Sequence, residues 1–367
     1  MIPLNKPFFD DEELNQVSEV FKSGWVSQGP KNIEFEEKVC KYLGVKYAIP
    51  VCNATAGLHL SLLAIGVRPG DEVIVPDFTF PATSHSVLYC NAKPVFVDVT
   101  LDTFNMDPSW IEGKITKKTK AIIAVDVFGH PAELDEIKKI AKKYDLVLIE
   151  DAACAFGAKY KDKLCGSIAD ITCFSFHGRK GITTGEGGMV VTDNEEVANK
   201  VRHLSVFGMS SALKRSKEFS IPIFTDIGYN YKMSDIAAAI GIAQLNKLEG
   251  IIQRKSVVAR MWKERLFGLQ NLVVIPMEKD YVRHCWQSFN ILLYPSISRN
   301  SVIKSMIDKN IYTTFGTYCC SVQPVYKSEY VCSNAKFLFD HTLSLPIYES
   351  LDFKTIDYIA TVLEENL

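Results

Sequence analysis

The chain has 367 residues, more than a single hydrophobic core usually organises, so two domains are expected. Hydrophobic residues at 47% and charged residues at 23% are ordinary for a soluble globular protein and argue against a disordered chain. A formal net charge of −2 gives no global attraction to nucleic acid or to an anionic membrane, so an anionic substrate has to be held by local groups.

Short β-rich apolar runs recur along the chain with helical segments between them. In order, the predicted strands are Ala48–Val51, Glu72–Pro76, Pro94–Val99, Ala121–Val127, Leu146–Glu150, Ile171–Phe176 and Met189–Thr192. Between the first two lies GLHLSLLAIGV, apolar on a helical period and closed by the turn signal PGDE. Before Leu146, AELDEIKKIAKKYD is an amphipathic helix with Leu134, Ile137 and Ile140 on its apolar face. Strand, helix, strand with short connections implies right-handed crossovers and an α/β fold with a largely parallel sheet. Runs such as AIIAVDV are nearly continuously apolar, so both faces of that sheet are expected to be covered.

From Met233 the pattern changes. SDIAAAIGIAQLNKLEGIIQRKSVVARMWKERLFGL reads as one long helix or two in series, capped by Ser234. It leads to a smaller α/β unit with the strand FNILLYP and the helices SVIKSMIDKN and FKTIDYIATVLEENL. The expected division is a large domain over 1–245 and a small C-terminal domain over 246–367. Ser210 to Asp226 is polar and irregular, a surface excursion carrying Lys214, Arg215 and Lys217. Ten scattered cysteines without C-x-x-C spacing read as reduced thiols in a cytoplasmic protein, with no structural metal site. No apolar stretch approaches the ~20 residues of a membrane span, and the N-terminus lacks a signal core.

The residues with chemical potential gather at strand ends. Lys180 follows the apolar run of FSFHGRKGITTGEGG, and Asp151 ends LVLIED at the carboxyl edge of the preceding strand. A lysine in that place, with a carboxylate one strand back, suits pyridoxal phosphate chemistry. The lysine forms a Schiff base with the cofactor aldehyde, and the carboxylate pairs with the pyridinium nitrogen. Taken singly, Asp151 could equally cap a helix and Lys180 could be a solvated charge; the combination favours the cofactor. Asn53 to Gly57 (NATAG) opens a helix whose first amides and Thr55 hydroxyl suit a phosphate. Phe80, in DFTFPAT, is the ring expected to stack on the pyridine, with Phe78 expected in the core. Gly185, Gly187 and Gly188 are expected to let backbone approach the bound ring.

Together these blocks resemble the DegT/DnrJ family of pyridoxal phosphate-dependent nucleotide-sugar aminotransferases, of aspartate aminotransferase fold type I. The resemblance runs from SGWVSQGP through NATAGLHLSLLAIGVRPGDEVIVPDFTFPAT, EDAACAFGA, CFSFHGRKGITTGEGG and IGYNYKMSDIAAAIGIAQL to LSLPIYESL. It implies a mostly parallel seven-stranded sheet in the large domain. It also implies that Lys180 is the Schiff-base lysine and Asp151 the pyridinium partner, with Ala54, Thr55 and Ser175 as phosphate ligands and Phe80 as the stacking ring. Asn230 matches an asparagine that reaches the phosphate of the neighbouring subunit, which implies a homodimer with shared active sites. Position 154, often Gln or His beside the cofactor's phenolic oxygen, is Cys154 here. GTYCCSVQPVY, in a region often near the sugar nucleotide, lacks the His-Tyr and His pattern of many members.

The implied reaction moves an amino group from L-glutamate to a nucleotide-linked 4-keto-6-deoxyhexose. Lys214, Arg215 and Lys217 could meet the diphosphate, or form a solvated cluster. A 3-keto sugar aminotransferase, a lyase, and a non-catalytic protein on the same scaffold are the alternatives. Dehydratases that resemble the family carry His at the position of Lys180, which favours amino transfer.

Overall fold

The computed structural model describes residues 1–210 and 221–367, so Lys214, Arg215 and Lys217 lie outside the described residues. All seven predicted strands form. They are β1 (Tyr47–Val51), β2 (Glu72–Pro76), β3 (Lys93–Val97), β4 (Thr119–Val125), β5 (Val147–Asp151), β6 (Ile171–Ser175) and β7 (Gly188–Thr192). They make one sheet in the order β1-β7-β6-β5-β4-β2-β3. Only β7 runs against the others, pairing antiparallel with both β1 and β6.

Two strands end two residues before their apolar runs do, each at an aspartate whose side chain takes other work. After β3, Asp98 accepts from the amides of Asn334 at 3.0 Å and Ala335 at 2.9 Å, opening the helix Ser333–His341. After β4, Asp126 accepts from the Ala132 amide at 2.8 Å, and Phe128 turns the chain at φ 58°.

The sheet is covered on both sides. Helices α3 (Ala54–Ala64), α4 (Ala82–Tyr89) and α6 (Glu195–Ser205) bury one face, where Ile49, Val75, Ile123 and Ile149 point. On the other face α2 (Pro30–Leu43) and α7 (Asp235–Leu266) cover Ala48, Phe174 and Val191, and α5 (Leu134–Lys143) covers Ile122 and Leu148. Adjacent residues such as Leu148 and Ile149 thus enter different cores, which is why these strands are apolar without alternation.

The α7 helix is continuous, and Ser234 caps it by accepting from the Ala237 amide at 3.2 Å. Its early residues Ala238 and Ile242, and then Leu248, Ile251 and Ile252, pack with the large sheet. Its last turns, from Val258 through Trp262 to Leu266, enter a separate core with helices α8 (Arg299–Asp308) and α10 (Phe353–Glu364). Four short antiparallel strands complete that unit: β8 (Val273–Val274), β9 (Phe289–Leu293), β10 (Thr314–Phe315) and β11 (Thr342–Leu345). The first residues of the chain join it too, because the Ile2 amide donates to Asn310 at 2.7 Å and the Ile347 amide to Leu4 at 2.9 Å.

Candidate active site

The parallel strands deliver their carboxyl ends to one edge of the sheet, where a cavity of about 380 Å³ opens. That size suits a small organic ligand. Asp151, 5% exposed, reaches it from the end of β5. No helix follows Asp151 directly, so it is not a helix cap; its Oδ1 accepts from the Ala153 amide at 3.2 Å. Its Oδ2 accepts from Thr83 Oγ1, on α4, at 2.7 Å. Burial pushes the Asp151 carboxyl above the usual carboxylate range. Thr83, the Ala153 amide and the charge of Lys180 all oppose that rise.

Lys180 enters from the turn after β6, with its amide donating to His177 at 2.9 Å. Its Nζ donates to Cys154 Sγ at 3.1 Å, three residues beyond Asp151. The β6–β7 turn is laced to itself. The Phe176 amide donates to Gly187 at 2.8 Å, the Thr184 amide to Phe176 at 2.9 Å, and Thr183 Oγ1 to Phe176 at 3.0 Å. Lys180 therefore sits on a fixed turn rather than a loose loop. Two of the glycines here serve protein packing, while Gly185 turns the chain at φ 83°. A Cβ on Gly188 would lie 2.6 Å from the carbonyl carbon of Asn53 and 2.7 Å from the Ala54 amide nitrogen. On Gly187 it would collide with Thr184 Oγ1.

That close approach seats the start of α3 at the cavity. Asn53 caps the helix by accepting from the Ala56 amide at 2.8 Å. The first-turn amides of Ala54 and Thr55 have no carbonyl within the helix to meet, and both residues line the cavity, so this helix start could hold an anion. Ser175, the last residue of β6, lines the same wall. Phe80 is 60% exposed and lines the cavity, whereas Phe78 is fully buried.

Seven residues singled out in the sequence thus share one cavity: Ala54, Thr55, Phe80, Asp151, Cys154, Ser175 and Lys180. Asn230 is outside it, exposed, and accepts from Lys232 Nζ. The cavity also has walls that sequence reasoning misses. Thr83 is one, although a second hydroxyl four residues after Thr79 in FTFPAT is a visible signal. Gln287 Nε2 donates to the Arg179 carbonyl at 2.9 Å, tying the second unit to the Lys180 turn. Gly316 and Thr317 reach the cavity, but the cysteines beside them do not. That segment is clamped on buried Asp77, which accepts from the Ser321 amide and Ser321 Oγ, both at 2.6 Å, and from Cys319 Sγ at 3.4 Å.

The donor set fits pyridoxal 5′-phosphate: a buried carboxylate at one wall, an amine, an open helix start and an exposed aromatic ring converge on one space. Among the described residues, no helix is long and apolar enough to cross a membrane.

Comparison with known proteins agrees. Residues 7–364 match the model of the DegT/DnrJ/EryC1/StrS aminotransferase family. The chain is 38% identical to GDP-perosamine synthase of Escherichia coli O157:H7, over 99% of this chain and 98% of that protein. It is 32% identical to UDP-4-amino-4-deoxy-L-arabinose–oxoglutarate aminotransferase of Shewanella sediminis, over 99% of this chain and 97% of that protein. In structure it is similar to the PLP form of the sugar aminotransferase Spr1654 of Streptococcus pneumoniae. That similarity has a TM-score of 0.91 and 29% identity over 100% of this chain and 99% of that one. The chain belongs to the DegT/DnrJ/EryC1/StrS aminotransferase family. It is an enzyme of the sugar aminotransferase class with the fold-type I architecture.

Proposed function

We propose that this enzyme uses pyridoxal 5′-phosphate to move an amino group from L-glutamate to a nucleotide-linked 4-keto-6-deoxyhexose, giving a 4-amino-4,6-dideoxy sugar nucleotide. The observation that carries this reading is the opening of Lys180 and Asp151 onto one cavity beside the start of α3. When bound, the cofactor supplies an electron sink for the bonds at the amino-bearing carbon. Asp151, oriented by Thr83, holds a proton at the ring nitrogen by its negative charge. The amides of Ala54 and Thr55, with the hydroxyls of Thr55 and Ser175, bind the phosphate. Phe80 covers the ring. Lys180 Nζ takes the proton from the donor's carbon and returns it, since a free amine serves as base and then acid. Cys154 accepts a hydrogen bond from that amine and orients it between these steps.

The acceptor and donor rest on relatives: the names of both carry a nucleotide sugar, and one couples a 4-amino sugar to oxoglutarate. We read the enzyme as a homodimer in which Asn230, exposed and not among the residues that line its own cavity, serves the neighbour's phosphate site. All ten cysteines are free thiols, seven of them buried, which supports a cytoplasmic setting. We divide the chain into units 1–245 and 246–367, joined inside α7; the second core, which begins at Val258, supports a division within that helix.

Incubation with glutamate and UDP-, GDP- or dTDP-linked 4-keto-6-deoxy sugars, followed by NMR of the product, tests the reaction. An amino group at C4 with matching 2-oxoglutarate is expected. Amination at C3, or loss of a hydroxyl without amination, would replace it with a different member reaction.

A further inference from the structure

We infer that Cys154 and Lys180 form a site of reversible oxidative cross-linking, where a peroxide converts their contact into a covalent sulfur–nitrogen bond. Lys180 Nζ lies 3.1 Å from Cys154 Sγ, and both side chains line the open cavity. The other thiols are poorly placed to compete. Seven of the ten cysteines are buried, and burial pushes the partly exposed Cys40 thiol up to about 11 and raises that of Cys52. Neither Cys40 nor Cys52 lines the cavity.

A second lysine acts on the same thiol through its charge. Lys255, on α7, is 3% exposed, and its Nζ has no hydrogen-bond partner among the described residues. The groups within its electrostatic reach are Cys285, Cys154 and Glu349, while burial pushes its amine down to about 8. Cys285 Sγ donates to the Cys154 carbonyl at 3.0 Å and so fixes the backbone that carries the thiol. A cationic neighbour stabilises the negative charge that sulfur develops as it attacks an oxidant.

The chemistry balances in two steps. Cys154 sulfur attacks one peroxide oxygen; an S–O bond forms, the O–O bond breaks, and water leaves. Sulfur is oxidised by two electrons to the sulfenic acid, and peroxide is reduced. The Lys180 amine, once its ammonium proton has passed to solvent, attacks that sulfur. An S–N bond forms, the S–O bond breaks, and water departs with one amine proton, with no further redox change. Two equivalents of a small thiol reverse the product to free thiol and amine and leave as a disulfide. The linked amine is withdrawn from chemistry. This consequence rests on the proposed role of Lys180, whereas the cross-link itself does not.

The test is peptide mapping under non-reducing conditions after hydrogen peroxide treatment of cofactor-stripped protein. The expected product joins the Cys154 peptide to the Lys180 peptide, two hydrogens lighter than their sum, and a dithiol releases it. Cys154→Ser should lose it. Cys154 found unmodified, or oxygenated while the Lys180 peptide runs free, would overturn the proposal. Protein loaded with pyridoxal phosphate should resist, because its lysine is engaged. Equal cross-linking in loaded and stripped protein would overturn the cofactor role of Lys180 and leave the cross-link standing.

Discussion

Thr83 Oγ1 lies 2.7 Å from Asp151 Oδ2 and 3.0 Å from Thr79 Oγ1. A hydroxyl has one proton to give, and Thr83 gives it to the carboxylate, so Thr79 must donate to Thr83. Two residues from a strand end and a helix start thereby orient the buried acid of the site. The donated bond favours the charged form that burial disfavours.

Thr83→Val removes this donor, a hydrogen bond to a charged group worth about 1.5–3 kcal/mol. The Asp151 carboxyl, already raised, rises further. A raised acid loses its charge as pH falls through its folded value, so the acid limb of kcat/KM should move to higher pH. Activity on that limb should drop roughly ten-fold or more. The pH profile of the variant checks this; an unmoved acid limb would contradict it.

A second buried acid governs stability rather than chemistry. Asp126 Oδ2 and Glu150 Oε1 are buried without a hydrogen-bond donor among the described residues, and with Cys165 their ligand-type atoms lie within 4.8 Å of one another. Burial, followed by the charge of Glu150, holds the Asp126 carboxyl well above its ordinary range. The native state keeps a proton that the unfolded chain releases above pH ~4. Stability present below that pH is therefore lost as pH rises toward the folded value. Asp126→Asn supplies a neutral donor for Glu150 and should gain about 1–3 kcal/mol at alkaline pH. Urea midpoints across pH should fall more steeply for the wild type; parallel curves would contradict a proton retained on Asp126.

Gly188→Ala probes the seat of the proposed phosphate site. The added Cβ would press on backbone atoms of Asn53 and Ala54, which cannot rotate away. Overpacking of this kind costs about 1–3 kcal/mol, so the dissociation constant for pyridoxal phosphate should rise roughly ten- to hundred-fold. Absorbance titration measures it, and wild-type affinity would show that α3 tolerates the shift.

Much of this is legible in the sequence, for local reasons. The seven strands announce themselves because each is apolar on both faces, and Lys180 and Asp151 because strand ends and glycine turns are written in consecutive residues. Thr83 is harder: its partner is 68 residues away, and only the sheet order brings α4 over the end of β5. The wall from Gln287, Gly316 and Thr317 depends on how the second unit docks, which no periodicity encodes. The glycines of TTGEGG are visible, but the contact that Gly188 permits, the approach of β7 to the start of α3, is not written in the local pattern. The acid pair Asp126 and Glu150 hides in VDVFG and VLIED, where each carboxylate resembles an ordinary strand end.

Shared sites make a sharp prediction. If Asn230 serves the neighbour, Asn230→Ala and Lys180→Ala homodimers should each be impaired. Subunits mixed and allowed to exchange should regain activity, because one site of each heterodimer then has both residues. No recovery on mixing, with exchange verified by mass, would count against a site built across the interface.

The most direct measurement concerns Lys180 itself. Pyridoxal phosphate added to the wild-type protein should give the visible absorbance of a lysine-bound cofactor. Glutamate should bleach it, and a nucleotide-linked keto sugar should restore it. Lys180→Ala should show neither the lysine-dependent absorbance nor any amino transfer. Retention of either by that variant would contradict the role of Lys180 and the reaction built on it.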